Sequence, residues 1–252
     1  MNCFEIIFSP TGGTKKVAHV LANKLSDRSS CIDLTDQKTD FTSFSFSADD
    51  ICLLAVPSFG GRVPAVAAER LRLLRGNGAK AVLVAVYGNR AYEDTLVELQ
   101  DIAESAGFRS IAAVAAVAEH SIMRQFAAGR PDADDVRELE GFVETIRQRA
   151  ESETIPPLAV PGNRPYKEWH SLPMHPKANH DCRSCGACAA VCPVGAIPPE
   201  NPKNTDTSRC ISCMRCISMC PSHARELNKL LLSGAVLKLQ KVCSGRKPNE
   251  FI

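Results

Sequence analysis

Between residues 1 and 150 the chain alternates short apolar, β-rich runs with stretches whose apolar residues recur at helical spacing. The runs predict strands over 3–8, 30–34, 50–56, 79–86 and 109–118, and the periodic stretches predict helices over 14–27, 64–75, 92–106 and 132–150. Such alternation predicts a parallel sheet with helices on both faces. Residues 39–50, rich in Ser, Thr and Phe, stand where a helix should link the second and third strands, so that helix is expected to be short or replaced by a loop.

After residue 150 the pattern breaks into proline-punctuated pieces, and 151–178 reads as an extended linker pinned to a surface by Tyr166 and Trp169. Residues 179–224 hold too little aliphatic material for a conventional core and need something other than packing to hold them. The tail, 225–252, returns to helical spacing through Leu227, Leu230, Leu231, Ala235, Leu237 and Leu239, which predicts a helix laid back on one of the domains.

Composition changes this picture little. Of the 252 residues 44% are hydrophobic and 23% charged, an ordinary globular balance. No apolar run reaches the ~18 residues of a membrane span, and the N-terminus shows neither basic leader nor cleavage site, so no membrane span is expected and the cytoplasm is the expected compartment. Residues 1–150 carry a net charge of −3 and residues 151–252 one of +5, with no basic stripe, so nucleic acid is not an expected partner.

The cysteines change it greatly. Eight of the 12 lie between Cys182 and Cys220, in two copies of C-x2-C-x2-C-x3-C-P. The first three cysteines of such a run close round one cubane iron–sulfur cluster, and the fourth ligates the other cluster in two-cluster ferredoxins. One [4Fe–4S] cluster would take Cys182, Cys185, Cys188 and Cys220, and the second Cys192, Cys210, Cys213 and Cys216. Structural zinc uses cysteine pairs separated by longer gaps, and a disulfide framework does not suit this compartment. The segment, with Gly195–Ala196–Ile197 after the first run and Ala224 after the second, resembles bacterial two-cluster ferredoxins, which implies a small α+β domain. Arg183, Arg209 and Arg215 suit the negative charge of such clusters, and Cys243 lies outside the pattern.

A second motif sits between the first strand and the first helix. Ser9-Pro10-Thr11-Gly12-Gly13-Thr14 lacks both the Walker and the dinucleotide pattern, yet it offers hydroxyls and backbone N–H groups at a helix start, which bind a terminal phosphate or simply cap the helix. It matches the phosphate loop [ST]-x-T-G-x-T and resembles that of the flavodoxin family. That resemblance implies a five-stranded parallel sheet in the order 2-1-3-4-5, FMN as cofactor, and ring-gripping loops after the third and fourth strands. Here these loops are 57–64, with Pro57, Ser58, Phe59, Gly60 and Gly61, and 87–94, with Tyr87, Gly88, Asn89 and Tyr92. Phe59 and Tyr92 are the expected ring covers, though Phe59 and Tyr87 read equally well as packing residues. Arg62 and Arg90 bring positive charge to these loops.

His120 follows the fifth strand and is a weak candidate proton donor, reading more readily as a structural loop histidine. His170, His175 and His180 suit no helical metal face. Nearly the whole chain resembles flavodoxin/ferredoxin fusion proteins, which implies an oxidoreductase-type electron carrier passing single electrons between two [4Fe–4S] clusters and FMN and on to a soluble redox protein. The alternative is an FMN-dependent reductase of a small-molecule acceptor, fed by its own clusters. The long linker also admits a homodimer in which one protomer's cysteine-rich unit docks on the other.

Overall fold

The structure is a computed structural model and describes residues 2–152, 154, 156–169 and 173–252. The first unit follows the expected alternation: β1 (Cys3–Ile7), α1 (Gly13–Leu25), β2 (Ser29–Asp33), β3 (Ile51–Pro57), α2 (Ala65–Arg72), β4 (Lys80–Tyr87), α3 (Thr95–Ser105), β5 (Arg109–Val117) and α4 (Ala133–Glu151). Between β2 and β3 there is only a 3-10 turn, Phe41–Ser43. Its hydroxyl-rich sequence satisfies itself locally instead of forming a helix: Asp40 accepts from Thr42 N and Oγ1, and Asp50 from Ser47 N and Oγ.

The five strands pair in parallel in the order β2-β1-β3-β4-β5, the flavodoxin-like arrangement with its switch point between β1 and β3. Alternate side chains feed two cores. Cys52, Leu54, Val56, Leu83, Ala85 and Val117 face α2 and α3, whereas Leu53, Val82, Val84, Val114 and Ala116 face α1 and α4. Both faces are covered, so the central strands read as continuous apolar runs.

The second unit is small and internally repeated. It contains β6 (Lys177–Ala178), α5 (Ala187–Ala190), α6 (Arg215–Ser218) and β7 (Arg225–Glu226), with β6 antiparallel to β7. This pairing carries the unit slightly beyond both ends of the expected 179–224. The offset that sets Cys182 on Cys210 also sets Ser184 on Ser212, Gly186 on Met214 and Gly195 on His223, and all six have positive φ. Equivalent backbone amides, Ala196 N and Ala224 N, reach the sulfurs of Cys192 and Cys220 at 3.2 and 3.3 Å. Its buried apolar cluster is slight: Cys188, Ala189, Ile197 and Cys216.

The tail returns to the first unit. α7 (Lys229–Cys243) packs Leu232, Ala235, Val236 and Leu239 against Met123 and Phe126 of the loop after β5. β8 (Glu250–Phe251), which the periodicity did not reveal, then pairs antiparallel with β5 as a sixth strand. It covers an edge whose backbone groups need partners. Asn249 adds to this cover by accepting from Val117 N at 2.9 Å.

The linker is strapped to α3 and the loop before it. Leu158 and Val160 pack on the first core. Asn163 N and Lys167 N donate to the two oxygens of buried Asp94 at 2.8 and 2.7 Å. Arg164 and Tyr166 both bond Asp101. Among the described residues no helix is long and apolar enough to cross a membrane.

Candidate functional site

The turn from β1 into α1 has unused donors. Gly12 is the N-cap at φ 94° and offers no side-chain cap, a conformation that costs a residue with a Cβ about 1–2 kcal/mol. Ser9 Oγ accepts from Lys15 N at 2.9 Å, and Lys16 N bonds Gly12 O. Among the described residues, the N–H groups of Thr11, Gly12, Gly13 and Thr14 and the hydroxyls of Thr11 and Thr14 find no protein acceptor. A Cβ on Gly12 would meet nothing within 4 Å. Free amides at a positive helix end and open space above them fit a phosphate. Lys15 and Lys16 are exposed on the helix side of the turn.

The two loops at the same sheet edge are tied together. Phe59 and Arg62 exchange backbone hydrogen bonds at 2.9 and 3.2 Å and close a turn at Gly60 and Gly61. Ser58 N bonds Val86 O, and Ser58 Oγ accepts from Thr95 Oγ1 at 2.7 Å. Pro57 ends β3. Tyr87 is buried in the core, which pushes its phenol up to about 12, and its ring lies 5.4 Å from that of half-buried Tyr92. The Asn89 side chain donates to the Cys243 and Gly245 carbonyls of the tail, both at 2.7 Å.

The groups that would equip an open pocket for small-molecule chemistry are engaged elsewhere. Arg62 makes a two-point ion pair with Glu98 at 2.7 and 2.8 Å and donates to Lys167 O. Arg90 pairs with Glu93 at 2.9 and 3.0 Å. His120 packs over Gly88, where an added Cβ would sit 2.6 Å from its ring. Its Nδ1 accepts from Ile122 N and Met123 N at 3.1 and 3.2 Å, so Nε2 carries the proton. Burial, then the Arg90 charge, lowers its pKa to about 4. It is therefore a neutral ring near pH 7.

In the second unit Cys182, Cys185, Cys188 and Cys220 line one cleft together with Pro202 and Arg225. Cys192, Cys210, Cys213 and Cys216 lie within Coulombic reach of one another, and burial pushes the Cys213 and Cys216 thiols up to about 12 and 11. Among the described residues no three His, Cys, Asp or Glu side chains converge on a single ion. Arg225 is buried and bonds Pro202 O at 2.8 Å, Pro176 O at 3.0 Å, Thr205 Oγ1 and the Cys188 sulfur at 3.7 Å. None of these partners is a carboxylate, and its Nε has no partner. A buried cation so placed fits sulfur ligands that carry the charge of an iron–sulfur cluster.

The two units meet at the phosphate loop. Gln37, after β2, donates to Cys192 O at 3.1 Å, and Arg70 of α2 donates to Leu34 O and Pro193 O at 2.6 and 2.8 Å. Arg215, next to Cys216, reaches Ser9 O and Pro10 O at 3.4 and 3.5 Å and Asp33 at 3.8 Å. Arg215 was visible in sequence as a charge near the cysteines. Nothing in the pattern marked Gln37, Arg70 or Arg225, because each acts across 20 residues or more. His175 has a buried Nδ1 without a partner, His180 is exposed beside Asp181, and His170 lies outside the described residues.

Residues 181–224 match the 4Fe-4S dicluster domain family. No curated protein matches the chain significantly. Among solved structures, a flavodoxin of Streptococcus pneumonia TIGR4 is 21% identical, with 59% of this chain and 99% of that one covered at a TM-score of 0.44. A flavodoxin from the domain Archaea is 12% identical over 60% of this chain and all of its own, at 0.43. An NADH:FMN oxidoreductase is 16% identical over 60% of this chain and 91% of its own, at 0.42. Strand order and cysteine pattern together make the chain a flavodoxin-like α/β unit joined to a 4Fe-4S dicluster unit.

Proposed function

We propose that this chain moves single electrons between an FMN site on its first unit and two [4Fe–4S] sites on its second, and on to a soluble redox partner. The observation that carries the reading is the contact of both cysteine runs with the first unit, made by Arg215 of the second run to the Ser9 and Pro10 carbonyls of the phosphate loop and by Gln37, after β2, to the carbonyl of Cys192 at the end of the first run. When bound, the clusters exchange one electron at a time and the flavin one or two.

The chain's own residues then have distinct tasks. The amides of residues 11–14 and the hydroxyls of Thr11 and Thr14 hold the phosphate. The loops with Phe59, Gly60 and Gly61 and with Gly88, Asn89 and Tyr92 hold the ring. Cys182, Cys185, Cys188 and Cys220 serve one cluster, and Cys192, Cys210, Cys213 and Cys216 the other. Covalent linkage keeps donor and acceptor sites at high effective concentration. A reducing cytoplasm suits thiols that must stay free for iron.

The engagement of Arg62, Arg90 and His120 favours a carrier over a reductase of a small acceptor. The test is to photoreduce purified protein containing iron at about eight per chain and one FMN, then offer it redox proteins and a broad panel of quinones, nitro compounds and azo dyes. Rapid one-electron oxidation by a redox protein, without saturable turnover of the small molecules, is the expected result. Saturable turnover of one compound replaces the carrier reading with the reductase. Zinc without flavin removes both.

A further inference from the structure

The chain has a single tryptophan, Trp169, and the linker delivers it to the ring loops. A Cβ placed on Gly60 would lie 4.0 Å from Trp169 Cδ1, yet the indole remains 46% exposed. The segment leading to it is fixed to both loops. Lys167 N donates to Asp94 Oδ2 at 2.7 Å, Lys167 Nζ to Glu93 at 2.7 Å, and Lys167 O accepts from Arg62 Nη1 at 2.6 Å. Tyr166 lies under the Arg62 guanidinium, 4.8 Å from the ring centroid.

A large apolar side chain two residues beyond these fixed points, brought to a glycine turn and still half in water, has a face to offer. Gly60 lacks a side chain and has φ 62°, so the turn leaves its own backbone bare where the indole arrives. We infer that Trp169 stacks on the planar ring of the bound cofactor at the Gly60 turn, so that the linker between the two units completes the flavin site. This rests on the FMN reading above and assigns it a residue from outside both ring loops. Undocking the strap then removes one wall of the flavin site, which couples flavin retention to the seating of the linker.

The test uses the full chain with its clusters, freed of flavin and titrated with FMN, binding being followed by flavin absorbance and emission. Trp169→Ala is expected to bind FMN about tenfold more weakly, the scale of one aromatic stack, and its bound flavin to emit more strongly. Trp169→Phe should recover most of the affinity, and the iron content of both variants should equal that of the parent chain. Equal affinity and equal flavin emission in Trp169→Ala would overturn the inference while leaving the FMN site standing. Failure of the parent chain to bind FMN would overturn the FMN reading itself.

Discussion

Tyr92 Oη donates to Glu250 Oε2 at 2.7 Å, joining a loop of the first unit to the last strand of the chain, 158 residues later. Burial first, and then this carboxylate, raise the Tyr92 phenol well above its ordinary range. The tail thus fixes the rotamer of a ring that the sequence assigns to the flavin site. Replacing Glu250 by Gln removes the negative charge and keeps a hydrogen-bond acceptor. In an ultraviolet titration the Tyr92 phenol of Glu250→Gln is expected to ionise at lower pH than in the parent chain, with Tyr92→Phe identifying its signal. Coincident titrations would show that burial alone sets the shift.

His120 gives the fold a measurable acid sensitivity. Its imidazole titrates at about 4 in the folded chain and near the ordinary ~6.5 in the unfolded one. Between these values the unfolded state binds more protons, so stability falls as pH falls. The loss begins near pH 6.5 and is complete below about 4, where it reaches about 3 kcal/mol. Urea unfolding of His120→Gln at a series of pH values should lack this portion of the slope. An unchanged slope would assign the acid sensitivity to carboxylates.

Much of this architecture is legible in sequence because its causes are local. Strands buried on both faces must be apolar throughout, so 79–86 announces β4 almost to the residue. A helix start that leaves amides free needs small and hydroxylated residues, and the run from Ser9 to Thr14 shows them. What stays hidden depends on distant partners. β8 is two residues long and has no periodicity; it exists because β5 offers an edge. The linker reads as a proline-rich spacer pinned by its aromatic residues, but the partners that make it a strap, Asp94, Asp101 and Arg62, are each far away in sequence and stay hidden. Asn89 likewise reads as a loop residue until the Cys243 and Gly245 carbonyls appear beside it.

Crossed ligation of the two cysteine runs separates two clusters from one. If Cys220 completes the site of Cys182, Cys185 and Cys188, then Cys185→Ala and Cys220→Ala disturb the same spectroscopic signal, although the residues lie in different runs. Cys192→Ala should instead resemble Cys213→Ala. Electron paramagnetic resonance of the reduced variants, with iron falling from about eight to about four per chain, reads this directly. Grouping by run rather than across runs would contradict the crossed scheme.

Arg215 offers the sharpest test of electron handover. Its side chain is only 19% exposed, it sits beside Cys216, and its guanidinium reaches the Ser9 and Pro10 carbonyls and Asp33. Gln37 and Arg70 hold the neighbouring Cys192 and Pro193 carbonyls, so Arg215→Gln should loosen the junction without separating the units. Each site keeps its own donors, and iron and FMN contents should stay at the parent level. Transfer between units depends on a fixed approach of the two sites, and small misplacements of reacting centres are costly. The rate of electron redistribution after a flash of photoreductant is therefore expected to fall about tenfold. The fall should deepen when Arg70→Met is added, because both residues serve one interface. An unchanged rate in the double variant, at full cofactor content, would mean that electrons do not cross at this junction and that the route runs between protomers.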